Sequence, residues 1–122
     1  KAGVDIYADA VINHIAGGSG TSVAGSPYGN RSTPIYAASD MHHAVGNASQ
    51  NCGVTNYTDK WNVQSCDLVG LPDLCTDCDK VQRTIAAYIA HLASAGVAGF
   101  RVDAAKHMDS QELGRLLSHV DA

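Results

Sequence analysis

The chain has 122 residues, 45% of them hydrophobic, and a formal net charge of -4. This composition is globular and allows one modest core, and it lacks the basic footprint that a nucleic-acid partner needs. No apolar run approaches the roughly 20 residues of a membrane-spanning helix. The chain opens at Lys1-Ala-Gly-Val4, with no start methionine and almost inside a strand, so the lack of a signal peptide carries no information. It reads as an internal piece of a larger protein.

Residues 3–12, Gly3-Val-Asp-Ile-Tyr-Ala-Asp-Ala-Val-Ile12, are β-branched and aromatic and predict a first strand. Asn13-His14 lie just past its end. Asp5, Asp9 and Asn13 stand at even spacing and would share a face if the strand ran that far. Residues 16–60 are rich in Gly, Ser, Thr and Asn, with turn chemistry at Gly17-Gly-Ser-Gly20 and Gly25-Ser-Pro27. So long a bare loop is unusual in a compact domain. A small irregular domain inserted after a strand, held by metal and disulfide, accounts for it better. Three Asn-x-Ser/Thr sequons fall here, at Asn30, Asn47 and Asn56. Chance explains them slightly better than glycosylation, which a eukaryotic source would allow.

The four cysteines are Cys52, Cys66, Cys75 and Cys78. Cys75-Thr-Asp-Cys78 has the spacing of half a zinc knuckle or of a redox pair. Thirteen residues separate Cys52 from Cys66, so a zinc site built from all four fits poorly. An even count suits disulfides in a secreted chain. Cys75 and Cys78 either close a tight local ring or stay reduced.

Helical spacing returns at Val81, Ile85, Tyr88, Ile89 and Leu92, with Asp77 or Asp79 as cap and Gly96 as stop. A second strand is predicted over 97–104, inside the apolar run Gly96-Val-Ala-Gly-Phe-Arg-Val-Asp-Ala-Ala105, and it reads as buried. Arg101 and Asp103 alternate along it and point to one face. On a buried strand they are costly to desolvate unless they pair or serve a site. Lys106 and His107 follow, making four ionisable groups in seven residues. The C-terminal end of a strand is where α/β barrels place their chemistry; a plain Arg–Asp ion pair is the alternative. Asp109 or Ser110 then opens an amphipathic helix with Leu113, Leu116, Leu117 and Val120 on one face. Strand, insertion, helix, strand and helix fit a right-handed βαβ unit of a parallel barrel, and 122 residues are about half of such a barrel.

Asp9-Ala-Val-Ile-Asn-His14 closely resembles the first signature segment of the α-amylases. Gly99-Phe-Arg-Val-Asp-Ala-Ala-Lys-His107 resembles the second, which carries the nucleophile. Val69-Gly-Leu-Pro-Asp-Leu74 resembles the extra signature of the small domain inserted in that barrel. The resemblance runs through nearly the whole chain, Val63-Gln-Ser-Cys-Asp-Leu-Val-Gly70 included, and is strongest to the animal-type, chloride-activated enzymes and their bacterial relatives. It implies an α/β fold, a fragment of a (β/α)8 TIM barrel around its third and fourth strands. Residues 1–14 would be barrel strand and the start of the catalytic-face loop. Residues 15–76 would be the inserted domain, and 77–122 barrel helix, strand and helix.

The resemblance also implies a function: endo-acting, retaining hydrolysis of α-1,4-glucosidic bonds in starch, glycogen and malto-oligosaccharides by a secreted, monomeric enzyme. Asp103 would be the nucleophile and Arg101 would orient it and bind chloride. The only glutamate, Glu112, reads as a solvated helix residue. The family's acid/base glutamate would lie beyond Ala122, leaving these residues inactive by themselves. Calcium would be held by side-chain oxygens of Asn13 and Asp73 and by backbone carbonyls of Gln64 and His107. The family commonly has arginine where Gln64 stands, which a main-chain ligand tolerates. His14, Lys106 and His107 would line the sugar cleft with Asp9 supporting the strand's end. Tyr57 would stack on sugar, or merely pack, and Leu68 and Leu71 would form an apolar wall. Cys66 matches a family cysteine paired shortly upstream, which implies Cys52–Cys66. His42, His43, His91 and His119 read as surface or packing residues. A transglycosylase of the same clan, or a non-catalytic calcium- and carbohydrate-binding relative, is the alternative; intact Arg101, Asp103 and His107 favour catalysis.

Overall fold

The computed structural model describes residues 3–29, 31–42 and 52–120. The order is β1 (Tyr7–Ala10), β2 (Gly20–Thr21), β3 (Pro27–Tyr28), a 3-10 turn (Ala38–Asp40), α1 (Lys60–Ser65), α2 (Asp79–Ser94), β4 (Gly99–Val102), a second 3-10 turn (Ala105–His107) and α3 (Ser110–Ser118). The sequons at Asn30 and Asn47, and His43, lie outside the described residues; Asn56 is exposed.

β1 and β4 pair in parallel, with Asp9 opposite Arg101 and Ala10 opposite Val102. Both strands are shorter than their apolar runs. Past Ala10 the backbone turns away to the insertion: Leu74 N–H donates to Asn13 O at 2.9 Å and Ile15 N–H to Pro72 O at 3.0 Å. The strand therefore never reaches Asn13, and the shared face of Asp5, Asp9 and Asn13 does not form. Asn13 is buried while Asp9 is not.

Within these 122 residues the strand read as buried over 97–104 is covered on one face. Ala10 points into the core, with Phe100 and Val102 half-buried against it, whereas Tyr7, Asp9 and Arg101 lie on an exposed face. Parallel sheets bury both faces. Here α2 and α3 pack on each other, and the core they share with Ala10 and Ile12 covers one face of the pair. That core comprises Ala10, Ile12, Met41, Leu74, Val81, Ile85, Ile89, Met108 and Leu116, with Cys75 beside them. Ile85→Ala should cost about 2–5 kcal/mol by the cavity it leaves, read as a lower denaturant midpoint at unchanged slope.

α2 ends where Gly96 takes a φ of 104°, a left-handed stop that glycine adopts without penalty. Its N-cap is Cys78 rather than either aspartate. α3 is capped by Asp109, whose carboxylate accepts from Gln111 N–H at 2.8 Å. α1 had no periodic signal, because among its six residues only Val63 is buried. Asp59 supports it by accepting from Trp61 N–H at 3.0 Å.

The stretch between β1 and α2 is irregular but tied down. Residues 72–75 form its spine: His14 and Met41 bridge to Asp73 and Leu74, and Cys75 N–H donates to Asp40 O at 2.8 Å. Cys52–Cys66 closes a loop of 14 residues, worth about 3 kcal/mol of unfolded-state entropy. Cys75–Cys78 forms the tight local ring. With both bridges formed, no four-cysteine zinc site exists.

Candidate active site and cation-binding loop

The ends of the two parallel strands bring together residues far apart in sequence. Arg101 Nη1 donates to both oxygens of Asp9 at 2.9 Å and to Asp103 Oδ1 at 3.1 Å. The Asp103 backbone is held by its own N–H, which donates to Ala10 O at 3.0 Å. The arginine side chain is 66% exposed and that of Asp103 31%. The carboxylates beside Arg101 raise its pKa further, so it stays cationic throughout.

Ala104 follows with a φ of 50°, a left-handed conformation that costs a non-glycine residue roughly 1–2 kcal/mol. This turn carries Lys106 and His107 back onto the insertion. The buried His107 donates from Nδ1 to Val63 O at 2.9 Å, and Gln64 Nε2 donates to Met108 O at 3.3 Å. Tyr57 is exposed; Lys106 Nζ sits 4.7 Å from its ring centre and His107 meets it edge-on at 6.1 Å.

His14 completes the cluster. Burial lowers its pKa, the nearby Asp103 charge opposes that, and His107 adds to the lowering. Its Nδ1 accepts from Asn13 Nδ2 at 3.3 Å. The neutral ring therefore carries its proton on Nε2, as a donor. Leu68 and Leu71 close a tight turn through Val69 (φ 46°) and Gly70 (φ 78°), with Leu71 N–H donating to Leu68 O at 2.9 Å; both leucines are half-buried.

Asn13 and Asp73 are each 1% exposed and lie on adjacent bridged segments. Burial pushes the Asp73 carboxyl up to about 6, while the hydrogen bond and charge of His42 pull it down. Asp67 supports the loop: its carboxylate accepts from Asp73 N–H at 3.0 Å and from Arg31 Nη2 at 3.2 Å. Gln64 and His107 approach from the side of α1, and His107 lies near enough to Asp73 to influence its charge. An amide oxygen, a buried carboxylate and two carbonyls are hard donors of the kind calcium takes. A cation there would offset the cost of keeping Asp73 ionised in the interior, so the residues fit calcium.

Two sequence readings change. His42 is not a surface or packing residue: its Nδ1 donates to the Asp73 carboxylate, and burial's lowering of its pKa is outweighed by that bond, leaving it raised. Glu112 is not freely solvated: it is half-buried and accepts from Thr76 Oγ1 at 2.7 Å. Asp67, Arg31 and His42 carry no local sequence signal, since their partners lie 31 to 36 residues away.

No family model matches the chain. Among curated proteins it is 46% identical over 120 residues to an α-amylase of Streptomyces violaceus, covering 98% of this chain and 20% of that protein. It is 47% identical over 113 residues to the pancreatic α-amylase of Struthio camelus, covering 87% of this chain and 23% of the relative. The fold matches wild-type α-amylase I of Eisenia fetida with a TM-score of 0.89 and 34% identity, over 98% of this chain and 25% of that one. The chain thus spans about a fifth to a quarter of these relatives.

Proposed function

The chain belongs to the α-amylase family, and on that premise we propose that the protein carrying it cuts internal α-1,4-glucosidic bonds of starch and glycogen with retention of configuration. The observation that supports this most is the Asp9–Arg101–Asp103 cluster at the ends of two parallel strands, with His14 and His107 beside it. Asp103 is the nucleophile. Arg101 aims it through the contact of Nη1 with Oδ1. The carboxylate attacks the anomeric carbon as the glycosidic bond breaks, giving a glycosyl-enzyme that water then hydrolyses.

His14, with a proton on Nε2, donates to a glucose hydroxyl next to the scissile bond. Lys106 lines the same cleft with the buried His107 behind it, Tyr57 offers its exposed ring to sugar, and Leu68 and Leu71 form the apolar wall. Asp9 holds Arg101 in place. Asn13, Asp73 and the carbonyls of Gln64 and His107 would hold calcium, which would tie the insertion to both strand ends. Arg101 would hold chloride, since its contacts to Asp9 and Asp103 use one nitrogen of a five-donor fork. Two disulfides suit an oxidising, extracellular compartment, and the full enzyme acts as a monomer without nucleic acid. No helix among the described residues is long and apolar enough to cross a membrane.

Retaining hydrolysis needs a second carboxyl about 5 Å from the nucleophile. The only glutamate here, Glu112, is engaged by Thr76. The resemblance implies a glutamate outside these residues as the acid/base, so the 122 residues alone, with calcium, should release no sugar from starch above a catalyst-free blank. Turnover by the isolated segment would overturn these roles. For the whole protein the test is NMR of fresh products: α-anomers support the reading, and no hydrolysis would favour a non-catalytic binding relative.

A further inference from the structure

We propose that, once its disulfide is reduced, the Cys75–Cys78 pair joins His42 and Asp77 in a tetrahedral zinc site. Neither cysteine takes part in the proposed hydrolysis, and the inference does not rest on that reading.

Donor atoms of His42, Cys75 and Asp77 all lie within 4.8 Å of one another. Cys75 Sγ is 2.8 Å from Asp77 Oδ1, and His42 Nε2 is 3.5 Å from the same oxygen. Cys78, bonded to Cys75, lies outside that group and would bring the fourth donor once the bond opens. A disulfide sulfur carries no proton, so the contact between Cys75 and the Asp77 carboxylate has no hydrogen bond to gain in the oxidised chain. A cation placed between them removes that cost.

The imidazole is already oriented as in metal sites. His42 Nδ1 donates to the buried Asp73 carboxylate, which turns Nε2 toward Cys75 and Asp77. A carboxylate on one ring nitrogen and a metal on the other is the usual arrangement around zinc. Two thiolates, an imidazole and a carboxylate form a mixed soft and borderline set that selects zinc over calcium or magnesium. Asp77 is 54% exposed and gives the ion an entry, while Cys75 is buried and shields the sulfur.

The chemistry balances with a dithiol reductant. A thiolate of the dithiol attacks the Cys75–Cys78 bond, and the mixed disulfide resolves into a cyclic disulfide of the reductant. Two electrons and two protons pass to the cysteines. Zinc then displaces the two thiol protons to solvent.

The test uses the full-length protein in calcium buffer, reduced with dithiothreitol, freed of reductant without oxygen, and titrated with Co2+ as the probe. Expected is one equivalent of cobalt showing thiolate charge-transfer and tetrahedral visible bands. These bands should be absent before reduction, bleached by Zn2+, and lost in Cys75→Ser/Cys78→Ser. Cobalt affinity should fall at least about tenfold in His42→Gln and in Asp77→Ala. Missing bands in the reduced wild type, folded or not, would overturn the site. So would bands that survive the double cysteine change. Equal affinity in the His42 and Asp77 variants would also sink it, since it would assign the cobalt to thiols of a loosened chain.

Discussion

Asp103→Asn in the full-length enzyme should lower kcat by roughly 10⁴-fold or more, about 5.5 kcal/mol of transition-state stabilisation. The substitution keeps the shape of the side chain and removes the charge that, in the proposed mechanism, attacks the anomeric carbon. Its backbone anchor, Asp103 N–H to Ala10 O, is untouched, and Arg101 keeps both contacts to Asp9. The fold and starch binding should therefore survive, which circular dichroism and a starch-retention assay would check. Arg101 loses one carboxylate but keeps Asp9 as its partner, so it is not left as an unpaired charge. Near-normal kcat in the variant would remove Asp103 from the role. Product of inverted configuration from the wild type would do the same.

Stripping calcium should be the second large effect, and Asp73→Ala should abolish it. A ligand that binds only the folded state stabilises it by about 2.7 kcal/mol at a hundred times its Kd. The wild-type melting temperature should fall by several degrees when a chelator is added. Asp73→Ala loses the buried carboxylate and His42 its partner, so the variant starts lower. The informative quantity is the further drop on chelation, which should be near zero. Equal drops in both proteins would show that Asp73 is no ligand, whatever its effect on the starting stability.

The order of helices and strands was legible locally. The spacing of Val81, Ile85 and Ile89 marks one face of α2, and Gly96 ends it because only glycine takes a φ of 104° without strain. Asp109 caps α3 from the next residue. Such signals act within a turn or two of backbone, and sequence alone can weigh them. The motif at Gly99–His107 was legible too, since alternation in an apolar run puts Arg101 and Asp103 on one side. What alternation could not say is what covers this side. That depends on how many layers cover the sheet.

The sequence by itself determined the family, the order of strands and helices outside the insertion and the identities of the charged residues at the strand ends. The tertiary structure alone decided which of them meet. Asp9 and Arg101 are 92 residues apart and touch only because β1 and β4 are neighbours in one parallel sheet. His42 reaches Asp73, Arg31 reaches Asp67 and Thr76 reaches Glu112 across 31 to 36 residues of chain. Each of these contacts requires the chain to fold back over tens of residues, and no local period encodes that closure. The six-residue α1 went unseen for the same reason: its single buried side chain, Val63, is explained by packing against the turn at His107 and not by any pattern within the helix.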